Sequence, residues 1–269
     1  VLHGPGEQDT GMPQLHVSMS VAEELLGLEA GGLDELRASI ESTQAPNSGL
    51  VGRAALLDVE ADYVESAQTA NVVGVLQGSD PALAREYVII GAHLDHAGSQ
   101  GEGNFFPGAN DNASGSAALI ALAQAMGRSE APPRRSVAFV LFTAEESGLH
   151  GAKAFVEFES IPLSQSVAMI NMDSVGYGEK LQMGGGESAP ELWKLARAID
   201  AGAEQITIEK TWWGGGADAQ PFFDAGLPTI YFATKDSYAH LHQPGDTPDT
   251  LNGETLAAIT RHAYRLVTA

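Results

Sequence analysis

The chain has 269 residues, 43% of them hydrophobic, which suits one large α/β domain or a core domain with a small appendage. Its 35 acidic residues outnumber 14 basic ones and give a net charge of −21, which argues against nucleic acid and anionic membranes as partners. With no cysteine, disulfides, thiolate metal sites and cysteine nucleophiles are excluded, so any metal must be held by His, Asp and Glu. No apolar run approaches the roughly 18 residues of a membrane helix. No signal peptide is visible, and the opening at Val1 without methionine points to a processed or trimmed product.

In chain order, Ser18 to Leu26 and Gly32 to Ile40 have helical apolar spacing, with Ser18 or Ser20 as N-cap candidates. Gly52 to Glu60 and Asn71 to Gln77 read as strands. From Glu86 onward strands alternate with helices. Tyr87–Ala92, Ser136–Thr143, Ser166–Met172 and Leu227–Ala233 are continuous apolar runs, as expected of strands buried on both faces. Leu181–Met183 is a short strand, and Gln205–Thr211 alternates like one. Ser114–Met126, Glu191–Ala201 and Leu251–Val267 read as helices. This order predicts a three-layer α/β/α sandwich on a mostly parallel mixed sheet. Ligands in such folds sit at the carboxyl ends of the strands.

Chemistry-bearing residues fall at those ends. The strand from Tyr87 runs into His93-Leu94-Asp95-His96, where residues two apart share a face. A metal-ligating histidine usually donates its other N–H to a carboxylate, a task for Asp95, although a lone strand-end histidine is more often a satisfied structural one. Asp111 stands in a glycine-flanked turn before a helix, where alone it reads as a cap. Glu145 and Glu146 follow a buried strand directly, a costly place for two carboxylates unless protons or metal compensate them. As strand neighbours they face apart, which suits one for a metal and the other for a water. Asp173 follows the next buried strand, and His240 and His242 lie in a late loop. Singly these favour bland readings. Their recurrence along one sheet edge favours a hydrolytic site for zinc, manganese or cobalt.

The blocks GAHLDH, PGANDNASG, FTAEESGL, INMDSVG, GGGADAQPF and HLHQPGDT stand in this order. Together they resemble the co-catalytic zinc aminopeptidases of peptidase family M28, relatives of glutamate carboxypeptidase, over about Asn71 to Ala269. The resemblance implies two Zn²⁺ ions and peptide substrates. Asp111 would bridge the metals, His93 and Asp173 would hold one, and Glu146 and His242 the other. Glu145 is similar to the general base, and Asp95 to the carboxylate behind His93. It further implies a zinc peptidase core over residues 71–269. Residues 1–70 resemble the end of a protease-associated insert, without the preceding helices of such relatives, which favours a fragment or processed form. Family habit, with the acidic and cysteine-free composition, favours a secreted or periplasmic location.

Relatives often carry tyrosine before the last histidine ligand as an oxyanion donor. Here that position is Leu241, leaving zinc alone, Tyr238 or His240 for the task. The nine arginines lie outside the motif loops, so no cluster to hold a substrate carboxylate emerges. That favours an aminopeptidase over a carboxypeptidase. Glu145, Asp218 and Asp236 are candidates for the substrate ammonium. Trp212, Trp213, Phe222 and Tyr238 are candidate pocket walls, core packing being an equal reading for Phe222. A carboxypeptidase or other amidohydrolase, a single-zinc acyltransferase of the glutaminyl cyclase type, and a receptor-like domain without activity are the alternatives.

Overall fold

The computed structural model describes residues 17–49, 56, 67–99, 103–235 and 238–269. The chain separates into two compact units, Gly6–Ala67 and a larger one containing Gln68–Ala269. In the small unit, α1 (Met19–Leu26) is capped by Ser18, whose hydroxyl accepts from Val21 N, and ends at Gly27 in a left-handed conformation. The Glu23 carboxylate accepts from Gly31 N and Leu33 N, tying α1 to α2 (Gly32–Thr43). The strand expected over residues 52–60 lies outside the described residues, apart from Leu56.

The larger unit is built on a six-stranded mixed sheet. Its strands are β1 (Val72–Leu76), β2 (Tyr87–His93), β5 (Ser136–Phe142), β6 (Ser166–Met172), β7 (Leu181–Gly184) and β8 (Thr229–Thr234), in spatial order β1-β5-β2-β6-β8-β7. The three central pairings are parallel, and the edge strands β1 and β7 run antiparallel to their neighbours. A ribbon of β3 (Gly98–Ser99) and β4 (Phe105–Phe106) follows β2. One face of the sheet packs Ile90, Ile170, Met172, Ile230 and Phe232 against α3 (Gly115–Gly127), α5 (Pro190–Ala201) and α7 (Gly253–Thr268). The other packs Ile89, Ala138, Phe142 and Met169 against α4 (His150–Glu157) and α6 (Ala219–Asp224). Phe142, Phe155 and Phe222 form an aromatic triad there, with centroids 5.6–5.9 Å apart. Phe222 is therefore core. The parallel register leaves His93, Phe142 and Met172 at the same end, so the residues after them emerge together.

Four departures from the sequence reading have local causes. Residues Gln205–Thr211 do not form a strand; only Thr207 bridges to Leu181, because the Asp200 carboxylate takes the Ile206 and Thr207 amides. The last central strand begins at Thr229, since Pro228 has no amide to give a ladder. The final helix begins at Gly253, where Asn252 caps it by accepting from the amides of Glu254 and Thr255. The short helices α4 and α6 were not expected; glycines at 148 and 151 and a proline at 221 mask their periodicity.

No helix among the described residues is long and apolar enough to cross a membrane. On α7, His262 is fully buried and stacks on Phe232 at 5.5 Å between centroids, with neither ring nitrogen hydrogen-bonded. Burial lowers its pKa below the ordinary 6.5; Asp200 and Glu204 oppose the shift and Arg265 adds to it. The unfolded chain therefore takes up a proton as pH falls through 6.5 while the folded chain does not, so stability is lost on the acid side. Replacing His262 with Leu is expected to remove this loss. In urea unfolding at pH 7 and pH 5, the midpoint of the variant relative to wild type rises at the lower pH. An equal difference at both pH values contradicts the assignment.

Candidate metal centre

The site forms where β2, β5 and β6 end. His93, the last residue of β2, is held from two sides: Nδ1 lies 3.0 Å from the carbonyl oxygen of Asp95, just past the strand, which fixes the ring, and the Ser116 hydroxyl of α3 donates to the His93 carbonyl. Its Nε2 faces Asp111 Oδ1 at 3.2 Å and Asp173 Oδ1 at 3.5 Å. Across the site, His242 Nε2 lies 3.1 Å from Asp111 Oδ2 and 3.1 Å from Glu146 Oε2. The two oxygens of Asp111 are thus divided between two imidazole–carboxylate pairs.

Asp111 is delivered by a kinked turn, Ala109–Ser114, whose backbone is non-helical at Asp111 and Asn112 before it runs into α3. The turn needs glycine at both ends. Gly108 has φ 68°, and a β-carbon there would meet the His96 ring and the Asp111 carbonyl. At Gly115 a β-carbon would strike the Met172 carbonyl and the Asn112 side chain. The polar residues of the turn join it to the end of β6. Asn112 Oδ1 accepts from Gly115 N at 2.9 Å, and its Nδ2 donates to the Met172 carbonyl at 3.0 Å. Asn110 Oδ1 accepts from Gly176 N at 2.8 Å, and Ser114 Oγ accepts from Val175 N at 3.1 Å. In the sequence, the only signal for these residues is the density of small polar side chains around Asp111.

Asp95 has a different task from the one expected. Its carboxylate lies 4.0 Å from His93 Nδ1, and its backbone carbonyl takes that nitrogen instead. The carboxylate accepts from Glu145 N at 3.1 Å and Glu146 N at 3.3 Å, fixing the turn that presents both glutamates. Ala144, just before them, is in the left-handed region at φ 52°, as is His242 at φ 51°. Such backbone costs of order 1–3 kcal/mol for a non-glycine residue and persists where surrounding structure enforces it. His96, also unassigned from sequence, places Nδ1 2.6 Å from Glu146 Oε1.

The electrostatics follow from burial. Burial pulls the His93 pKa down, but bonding to Asp111 and Asp173 outweighs it and raises the pKa to about 12. Burial raises Glu145 to about 7, against the pull of His93 and with help from Asp173, Glu146 and Asp111. Tyr231 on β8 is pushed well above the usual tyrosine range by burial and the Asp173 charge it bonds. Asp111, Glu145, Glu146, Asp173, Tyr231, Tyr238, Leu241 and His242 border a cavity of about 330 Å³ with Ser174 and Thr234. No lysine or arginine is among its described walls.

The remaining candidates fall elsewhere. Asp218 is fully buried and does not border the cavity, so its assignment to substrate binding is corrected; burial lifts its pKa to about 8. Tyr238 does border the cavity, but its hydroxyl donates to Asp246 at 2.5 Å and lies 2.9 Å from Thr250 Oγ1, so it is engaged. Trp212 packs over Gly184 and beside Tyr231, and Trp213 is 66% exposed. Asp236 lies outside the described residues.

The donor set fits a metal. Hard carboxylate oxygens and imidazole nitrogens converge in two overlapping groups, His93/Glu145/Asp173 and His93/Asp111/Glu146, whose ligating atoms lie within 4.8 Å of one another. The sequence model of peptidase family M28 matches residues 71–267, which carry all of these groups. The chain belongs to peptidase family M28. M28 relatives include Aminopeptidase YwaD of Bacillus subtilis, 27% identical over 74% of this chain and 43% of the relative. A glutamate carboxypeptidase 2 homolog of Caenorhabditis briggsae is 28% identical over 67% of this chain and 26% of the relative. Of solved structures, an aminopeptidase from Aneurinibacillus sp. strain AM-1 superposes with a TM-score of 0.64 at 25% identity, covering 73% of this chain and 47% of the other. The chain thus spans less than half the length of these M28 proteins.

Proposed function

We propose that the protein is an aminopeptidase that hydrolyses the N-terminal residue from peptides with two zinc ions and Glu145 as general base. The observation that carries this reading is the division of Asp111, with Oδ1 toward His93 and Oδ2 toward His242. His93 and Asp173 then serve one ion, Glu146 and His242 the other, and Asp111 both. When bound, the zinc pair supplies Lewis acidity to a water and to the scissile carbonyl. Glu145 borders the same cavity and has an oxygen within 4.8 Å of the ligating atoms of His93 and Asp173, close enough to work on a water held there. Its pKa near 7 suits a carboxylate that takes a proton from water and returns it to the leaving amine at neutral pH. Asp95 positions it by holding its amide.

The choice between the two ends of a peptide rests on charge. A carboxypeptidase needs a basic group for the substrate carboxylate. The cavity instead presents Asp111, Glu145, Glu146 and Asp173, a surround that attracts an ammonium group. The aminopeptidases among the relatives support the same choice, whereas the carboxypeptidase homolog supports only the shared exopeptidase chemistry. The five-ligand set favours two ions over the single ion of a glutaminyl cyclase-like acyltransferase.

Leucine p-nitroanilide is expected to be cleaved, and prior treatment with a chelator is expected to abolish cleavage. Absence of cleavage of any aminoacyl amide by the zinc-loaded chain rules the reading out. Glu145→Ala is expected to keep its zinc, measured by mass spectrometry, and to lose turnover by about 100-fold or more. Full activity in that variant refutes the assigned base.

A further inference from the structure

We propose that Asp246 is a positioning residue that latches the His242 loop to the backbone beneath Asp111, so that one buried carboxylate sets the spacing of both metal subsites. This rests on the two-metal reading and adds a residue to it. Asp246 is fully buried. It accepts hydrogen bonds from donors on two separate segments. Oδ1 takes the Asn110 amide at 2.7 Å and the Tyr238 hydroxyl at 2.5 Å, and Oδ2 takes the Asp111 amide at 3.0 Å. Its own carbonyl accepts from Ala109 N at 3.2 Å, adding a backbone clasp between the same segments. Tyr238 lies before His242 and Asp246 after it, so the side chains that close the latch bracket the exposed imidazole, whose side chain is 58% accessible. Thr250 Oγ1, 2.9 Å from the Tyr238 hydroxyl, extends the network to the short turn Pro248–Thr250 that precedes α7.

The physical consequence is directional. Bonds to an ionised acceptor are shorter and stronger than neutral ones, and a buried amide left without its acceptor is costly. Asn110 and Asp111 offer neighbouring amides on one side of the turn, and a single carboxylate satisfies both. The Asp111 carboxylate, on the other side of that residue, is then held at a fixed height between His93 and His242. An asparagine at 246 would keep the size but exchange one acceptor for an NH₂ group, which cannot accept from the turn amide it faces. Tyr238 acts here through Asp246, a role distinct from contact with substrate.

The test is zinc affinity of the metal-free chain, measured by competition with a zinc-chelating dye, beside its thermal unfolding without metal. Asp246→Asn is expected to bind zinc about 10–100-fold more weakly, the range seen when groups behind metal ligands are altered. Tyr238→Phe, which leaves both backbone bonds, is expected to show a smaller but measurable loss, up to about tenfold, and to unfold without metal where wild type does. A fold-stabilising role alone would lower the metal-free unfolding temperature and leave zinc affinity unchanged, and that result overturns the latch. If Asp246→Asn does not fold, Tyr238→Phe decides: wild-type affinity in that variant overturns the proposal. A wild-type chain that binds no zinc overturns the metal reading and the latch together. Two zinc ions bound by Asp246→Asn with the affinity of wild type overturn the latch alone.

Discussion

Four carboxylates and three imidazoles are crowded at one end of a buried sheet, and their charge has to be compensated. Asp111 and Asp173 are almost wholly buried, Glu145 and Glu146 partly so, and no lysine or arginine reaches the cavity among the described residues. Burial pulls the pKa values of His93 and His96 down, yet bonding to Asp111 and Asp173 raises the first to about 12 and bonding to Glu146 raises the second. Separately buried carboxylates are expensive, and the expense is borne only where something pairs with them. A cation held between them would resolve the conflict, and the parallel strands of the sheet bring His93, Glu145, Glu146 and Asp173 together.

The support around the site consists mostly of backbone amides. Asp95 holds the amides of Glu145 and Glu146, Asp246 those of Asn110 and Asp111, and Asn112 that of Gly115. Side-chain carboxylates and amides thus fix the loops that carry ligands, while the strands fix where those loops begin. This division explains why left-handed residues such as Ala144 and His242 are tolerated beside the working groups: the loops are held at both ends.

Much of this was legible in the sequence because a strand's period is two and its ends are marked. The apolar runs gave the central strands nearly to the residue, and the acids and histidines just past them gave the site. Spacing could place Asp95 on the side of His93, but it could not tell whether carboxylate or carbonyl would meet the ring. Asp246 was hidden because Pro-Gly-Asp-Thr reads as an ordinary turn, and its partners lie some 135 residues earlier. Asp218 misled for the opposite reason. It stands in a glycine-rich motif suggestive of a loop, yet it heads α6 and is sealed behind the site. Burial of that kind is a tertiary property and leaves no local pattern.

The central claim is that Asp111 joins two metal subsites. Native mass spectrometry of the zinc-loaded chain and of Asp111→Ala tests it most directly. The account predicts two zinc ions on the wild-type chain and loss of the pair in the variant. One ion on wild type, or two retained without the Asp111 carboxylate, contradicts it.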